Sequence, residues 1–173
     1  KKAPPRERGS GPYDRLVIRG ATLIDGTGAP ARGPVDVVVE DDEITAIQAI
    51  GAPGGPINDE ARPEKGKREI DAEGMYLLPG FVDMHTHIGG TAQGTPAEYV
   101  LKLWMAHGVT TAREVAAGNG LDWTIDHSAR SAENEITAPR IAVYPALGVG
   151  RDDPITTPEQ ARAWVRMVAE QGA

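Results

Sequence analysis

Two kinds of hydrophobic periodicity divide the chain near residue 80. Before it, β-branched residues alternate with polar ones, as in Val35, Val37 and Val39, a two-residue period typical of strands. From residue 81 onward, strand-like runs are separated by segments whose apolar residues recur every three or four positions, as in amphipathic helices. We therefore predict β structure in the first part of the chain and α/β structure in the second.

Residues 15–50 predict short strands and a hairpin. Two apolar runs split by Gly20 predict two separate strands, and the alternating segment that begins at Val35 turns at an Asp-Asp pair into a further apolar run. Residues 69–79 predict two more short strands. These strands are expected to pair in a mainly antiparallel way, as a β subdomain separate from the α/β part of the chain.

Two polar segments flank or interrupt these strands. Residues 1–14 and 51–69 are rich in Pro, Gly and charged side chains and poor in apolar ones. Such composition cannot repay the entropy cost of ordering the chain by burying apolar surface. We predict a flexible arm over 1–14 and an exposed insertion over 51–69.

The order of elements after residue 81 is strand, helix, strand, helix, strand, helix, which predicts parallel strands joined by crossover helices. Thr95 and Thr157 are each followed by Pro and, three residues on, by Glu98 or Gln160, so both helices that begin there should carry a capping box. A (β/α)8 barrel needs eight such units and about 250 residues. The pattern therefore indicates either an open sheet or the first three units of a barrel.

Composition narrows the classes of function. The 173 residues contain 18 Lys+Arg and 25 Asp+Glu, a net charge of −7, which argues against a nucleic-acid or anionic-membrane surface. The chain has no Cys, which excludes disulfides, thiolate metal sites and cysteine nucleophiles. No apolar run approaches the ~18 residues of a membrane-spanning helix, so no span is predicted. The compartment stays open between the cytoplasm and the periplasm or secretion after signal removal.

His85 and His87 are the strongest candidates for chemistry. On a strand, residues i and i+2 point to the same face about 6.6 Å apart, so two imidazoles could bind one divalent ion, with Zn²⁺ the expected metal. Asp83 shares their face. By itself a His-x-His pair is a weak motif, and a structural pair of histidines fits it as well.

A cupin-like β-barrel is a second protein class that uses a His-x-His pair to bind metal. That reading requires an acidic ligand a few residues later, and 88–94 contains none. The two predicted capping boxes also argue against an all-β fold.

The residues around the pair carry a family resemblance. The segment 70–87, IDAEGMYLLPGFVDMHTH, resembles the amidohydrolase superfamily, which consists of metal-dependent hydrolases built on a (β/α)8 barrel. Residues 17–28 resemble the opening of the small β-sandwich domain of these enzymes. Residues 106–114, AHGVTTARE, are similar to the second-strand motif of the imidazolonepropionase-like and prolidase-like branch.

This resemblance implies a function and part of a metal site. It implies hydrolysis of a C–N bond in an amide, cyclic amide or dipeptide by a metal-activated water, with His85 and His87 as ligands of one or two divalent ions. The family also uses a bridging Lys or Glu, two further His and a general-base Asp. None of these has a match here, and we expect them beyond Ala173.

The same resemblance predicts the domain organisation. Residues 15–79 form part of the β-sandwich domain, and 80–173 form the first part of the barrel. Further polypeptide of the same protein should complete the barrel, and a homo-oligomer is expected. The alternative is a non-catalytic or degenerate fragment with a structural His pair.

Other polar residues at strand and helix ends have simpler interpretations. Arg113 and Tyr144 lie at strand ends and could contact substrate, although an ion pair or a loop anchor is the favoured role of Arg113 and Glu114, and packing is the favoured role of Tyr144. His107 precedes a glycine and is predicted to cap a helix. His127 is predicted to lie on a solvated helix face.

Overall fold

The computed structural model describes residues 11–173, which fall into two units, 11–79 and 80–173. Most of the predicted arm, 1–14, lies outside the described residues. The first unit contains β1 (Arg15–Leu23), β2 (Arg32–Glu40), β3 (Glu43–Ala49), β4 (Arg68–Asp71) and β5 (Tyr76–Leu77).

These five strands form one sheet in the order β3-β2-β1-β4, with β5 also paired to β1. The hairpin of β2 and β3 is confirmed, and β1 pairs antiparallel with β2. The mainly antiparallel prediction is wrong for β4 and β5, which run parallel to β1. The long connection after β3 permits this, because a parallel return needs about a dozen residues or more. The described strands supply one sheet, so the predicted sandwich is not confirmed.

The two strands predicted on either side of Gly20 are one strand. The register of β1 against β2 shifts between Ile18 and Ala21, and Gly20 adopts a φ of +76°. Glycine tolerates that backbone conformation, which lets the strand bulge and continue. The apolar positions on both sides of the bulge can therefore face the same core.

A buried carboxylate lies at the centre of this unit. Asp36 on β2 is 0% exposed. It accepts hydrogen bonds from the Gly20 N–H (2.8 Å) and from the guanidinium groups of Arg19 (2.8 Å) and Arg62 (3.0 Å). Because Arg62 belongs to the predicted insertion 51–69, this bond ties that segment to the sheet.

The segment 51–69 is mostly exposed, yet it contains local structure. A short 3-10 helix spans Asp59–Ala61, and Arg62 donates to Asp59 as well as to Asp36. The last two residues of the segment already belong to β4.

The second unit alternates strands and helices as predicted. β6, β7 and β8 form a parallel sheet in that order. The elements are β6 (Phe81–Thr86), α1 (Ala97–Ala106), β7 (Val109–Glu114), α2 (Leu121–Ala132), β8 (Arg140–Val143) and α3 (Pro158–Glu170). The parallel strands with intervening helices exclude the all-β alternative for this part of the chain.

One of the two predicted capping boxes forms. In α3, the Thr157 hydroxyl accepts from the Gln160 N–H (3.2 Å), and the Gln160 side chain accepts from the Thr157 N–H (3.1 Å). The prediction is wrong for α1, whose N-cap is Pro96 and has no side-chain bond. Thr95 therefore lies one residue too early, and Glu98 forms an ion pair with Lys102 instead.

The core of the second unit lies between the sheet and the helices. Its buried members include Leu101 from α1, Leu121 from α2, Ile141 from β8 and Trp164 from α3. In contrast, the apolar β6 residue Val82 is 58% exposed. The helices therefore cover only part of the apolar surface of the strands.

Both predicted helix-associated histidines have defined contacts. His107 is the C-cap of α1 and its Nδ1 lies 2.8 Å from the Leu103 carbonyl oxygen, which confirms the capping prediction. The solvated-face prediction for His127 is wrong. Its ring stacks on Trp123 at 3.6 Å, and only 17% of its side chain is exposed.

We expect Asp36→Asn to lower the free energy of unfolding of the first unit by about 3 kcal/mol, because it removes the buried charge that two mostly buried guanidinium groups share. Asp59→Asn is the matched control, since this 88% exposed carboxylate also pairs with Arg62 and should contribute less than about 1 kcal/mol. The free energy of unfolding of each variant is measured by chemical denaturation, with hydrogen exchange of the β1 and β2 amides as the probe of the first unit. Equal effects of the two variants would contradict this assignment.

His127 should make the second unit less stable in mild acid. Burial lowers the pKa of His127, with the Trp123 carbonyl and Asp126 opposing and Arg130 reinforcing the shift. Below about pH 6.5 the unfolded chain binds the proton more readily than the folded chain does. The free energy of unfolding therefore decreases as the pH is lowered. His127→Gln should flatten this dependence between pH 7.5 and 5, as measured by denaturation. An unchanged pH dependence in His127→Gln would contradict this assignment.

Candidate metal centre

His85 and His87 lie at the carboxyl end of β6, the edge of a parallel sheet where active sites gather. Their ring centroids are 5.4 Å apart and the ring planes meet at 77°. The side chain of His87 is 45% exposed. Asp83, predicted on the same face, accepts a hydrogen bond from the His85 N–H (3.1 Å), so it shapes the backbone of the strand here.

The strand is irregular where the histidines lie. Asp83 pairs with Ala112 and Thr86 with Glu114, so three steps along β6 match two along β7. Thr86, between the two histidines, is buried, and its hydroxyl donates to the Arg113 carbonyl (2.9 Å). Such irregularities often lie beside active sites and redirect a side chain. A regular two-residue alternation did not predict this one.

Glu114 is the buried charged group nearest to the histidine pair. It is 2% exposed, and its Oε1 lies 3.7 Å from Nδ1 of His87. The carboxylate accepts backbone hydrogen bonds from Ile88 (2.8 Å), Ala117 (3.0 Å) and Ala116 (3.1 Å). Glu114 is thus an anchor for the loops that follow β6 and β7, which is one of the two roles that the sequence allowed.

Asn119 supports the loop after His87 from the same side. Its amide nitrogen donates to the carbonyl oxygens of Ile88 (3.3 Å) and Gly89 (3.1 Å). Gly90 adopts a φ of +91°, and a Cβ there would lie 1.6 Å from the Asn119 side-chain oxygen, so a larger residue would be strained and would displace Asn119. Sequence reasoning missed Asn119, since a single Asn in a glycine-rich loop carries no distinctive signal.

Arg113 and Tyr144, the two predicted substrate contacts, come together at the ends of β7 and β8. The Arg113 guanidinium carbon lies 4.1 Å from the Tyr144 ring centroid, a cation–π contact. Arg113 Nη1 also donates to the Met84 carbonyl (3.3 Å). The Tyr144 N–H donates to the Glu114 carbonyl (2.8 Å), and the Tyr144 residue is 50% exposed.

The donor chemistry of the pair fits a divalent metal, since neutral imidazole nitrogens are common Zn²⁺ ligands. In residues 11–173, no group of three or more His, Cys, Asp or Glu side chains is arranged to hold a metal ion. A metal ion at His85 and His87 would therefore need further ligands besides these two imidazoles. Within the same residues, no helix is both long and apolar enough to cross a membrane.

Known proteins are similar to this chain in sequence. The model of an amidohydrolase family matches residues 68–135, which include both histidines and Glu114. An N-acyl-D-aspartate deacylase of Alcaligenes xylosoxydans xylosoxydans is 40% identical over 105 residues, covering 60% of this chain and 17% of that protein. A D-hydantoinase of Streptomyces coelicolor is 31% identical over 122 residues, covering 70% of this chain and 22% of that protein.

Solved structures show the same fold. A Xaa-Pro dipeptidase with bound methionine superposes with a TM-score of 0.65 at 23% identity, covering 92% of this chain and 45% of that one. A prolidase described as putative from Bifidobacterium longum gives 0.63 at 21% identity, covering 94% and 40%. The chain spans about a fifth of the length of the two curated relatives and less than half of these solved chains. Residues 68–135 therefore match an amidohydrolase family in sequence, and the chain shares the fold of the solved dipeptidase and prolidase chains.

Proposed function

We propose that the protein is a metal-dependent hydrolase that cleaves a C–N bond in a small amide, cyclic amide or dipeptide. The observation that carries this proposal is the pair His85 and His87. Their ring centroids lie 5.4 Å apart at the carboxyl end of a parallel strand. The names of its relatives, a deacylase, a hydantoinase and a dipeptidase, point to substrates with such bonds.

In this proposal His85 and His87 hold a divalent ion, with Zn²⁺ the expected metal and one or two ions bound. A bound ion of this kind lowers the pKa of a coordinated water and polarises a carbonyl oxygen. The role of the chain is to hold the two imidazoles in place. The bulged end of β6 and the buried Glu114 do this through the backbone on either side of the pair.

We also propose that residues 80–173 are the first part of a (β/α)8 barrel, preceded by a β domain over 15–79. The parallel order β6-β7-β8 and the likeness to the solved structures support the barrel. Val82 and Met84 are 58% and 61% exposed, as expected of strand residues that further strands of a barrel would cover. We also propose that the protein forms a homo-oligomer.

For the substrate, we propose a small molecule with a carboxylate that Arg113 binds. In the described part of the chain, no carboxylate forms an ion pair with Arg113, and only one of its donors has a backbone partner. The cation–π contact with Tyr144 holds the guanidinium against the ring, and a guanidinium can bind a carboxylate through two parallel hydrogen bonds. An N-acyl amino acid or a dipeptide has this group near its C–N bond.

Replacing either His85 or His87 with Ala should abolish metal binding and hydrolysis together, because each removes one of two imidazole ligands. The natural protein that contains this chain is purified, and its metal content is measured by mass spectrometry alongside turnover. His107→Gln is the control, since that imidazole lies beside the last carbonyls of α1. Full metal occupancy in both alanine variants would show that the pair is structural.

Arg113→Met should raise KM for carboxylate-bearing amides about 10- to 100-fold, the value of one charge-assisted hydrogen-bonded contact. Neutral amide analogues of the same substrates should lose much less. Arg140→Met, at the opposite end of the neighbouring strand, is the control and should leave KM unchanged. An equal loss for charged and neutral substrates would contradict carboxylate binding.

A further inference from the structure

The carboxylate of Glu114 connects the loop after β6 to the loop after β7. One oxygen accepts from Ile88, the residue directly after His87, and the other accepts from Ala116 and Ala117. The Glu114 residue is only 2% exposed. Backbone N–H groups, rather than water, therefore donate the hydrogen bonds to its carboxylate. A buried carboxylate is costly unless it is paired or hydrogen-bonded, so this arrangement holds both loops in one fixed relation.

The same carboxylate faces the ring of His87. Its Oε1 lies 3.7 Å from Nδ1 of His87, which is longer than a hydrogen bond but close enough for an electrostatic preference, because the carboxylate itself is buried. A negative oxygen at this position favours the neutral tautomer that carries its hydrogen on Nδ1. The lone pair is then on Nε2, the nitrogen that remains free to bind a metal.

The backbone of His87 is also restrained from its carboxyl side. Glu114 accepts from the N–H of Ile88 while Asn119 donates to the carbonyl of the same residue. Both backbone polar groups of Ile88 are therefore bound by side chains from the end of β7 and from the loop after it. The position of the His87 ring consequently depends on β7 as much as on its own strand.

We propose that Glu114 is a positioning residue for His87: it fixes the backbone that follows the ring and selects the tautomer that presents Nε2. This inference rests on the proposed metal site, because a positioned ligand matters only if a metal binds there. It assigns to Glu114 a role through His87, with no contact to substrate.

The first test measures Zn²⁺ affinity by chelator competition in the natural protein, comparing wild type with Glu114→Gln, His87→Ala and Thr124→Val. The glutamine keeps the shape but removes the charge. We expect its affinity to fall about 10- to 100-fold, the usual effect of losing an outer partner of a metal ligand. Thr124→Val is the control, because it removes a buried hydroxyl that donates to Gly120 in the same unit and should leave affinity unchanged.

The outcomes separate the two proposals. If His87→Ala binds Zn²⁺ as well as wild type does, the metal site itself is refuted. If His87→Ala loses affinity but Glu114→Gln does not, only the positioning role is refuted. A matching loss in Thr124→Val would also refute it, because general destabilisation of the unit would then explain the effect.

The second test uses the wild-type protein, so it does not depend on whether a Glu114 variant folds. Nitrogen NMR of the metal-free wild-type protein at pH 8, with ¹⁵N-labelled histidine and assignment by His87→Ala, reports which ring nitrogen carries the hydrogen. Hydrogen on Nδ1 of His87 supports the proposal. Hydrogen on Nε2 overturns it.

Discussion

The candidate site depends on one buried carboxylate. Glu114 ends β7 inside the unit, where its charge is balanced by backbone N–H groups from two loops. Because an unsatisfied buried charge would be far more costly than any gain from packing, the loops cannot move independently of it. Their fixed geometry places His87 at the end of the sheet, next to His85, and leaves the Arg113 side chain to lie against Tyr144.

The unit over 11–79 is organised by the same physical rule with a different set of donors. Asp36 is buried and joins a bulged strand, through the Gly20 N–H, to two arginines. One of them, Arg62, comes from a segment whose composition predicts an exposed insertion. In both units a charged residue within a β-rich segment therefore determines where a glycine-rich loop lies, because each loop must supply the hydrogen bonds that the charge requires.

Irregular strands are the second feature that both units share. The bulge near Gly20 keeps β1 continuous, and the register shift before Thr86 brings that residue into the core between two exposed histidines. Regular alternation predicts neither the bulge near Gly20 nor the register shift before Thr86, since it assigns faces by counting. A shifted register changes the face of every residue beyond it, which is why such positions can present chemistry that a regular strand cannot.

The sequence by itself determined the order of elements after residue 81, the capping box at Thr157 and the pairing of His85 with His87, because periodicity, capping and i, i+2 spacing are local properties. Only the tertiary structure decided which strands run parallel to β1 and that Glu114 and Asn119 hold the loop after His87. Those contacts join residues far apart in the chain, and no local pattern encodes which buried donor will meet which charge.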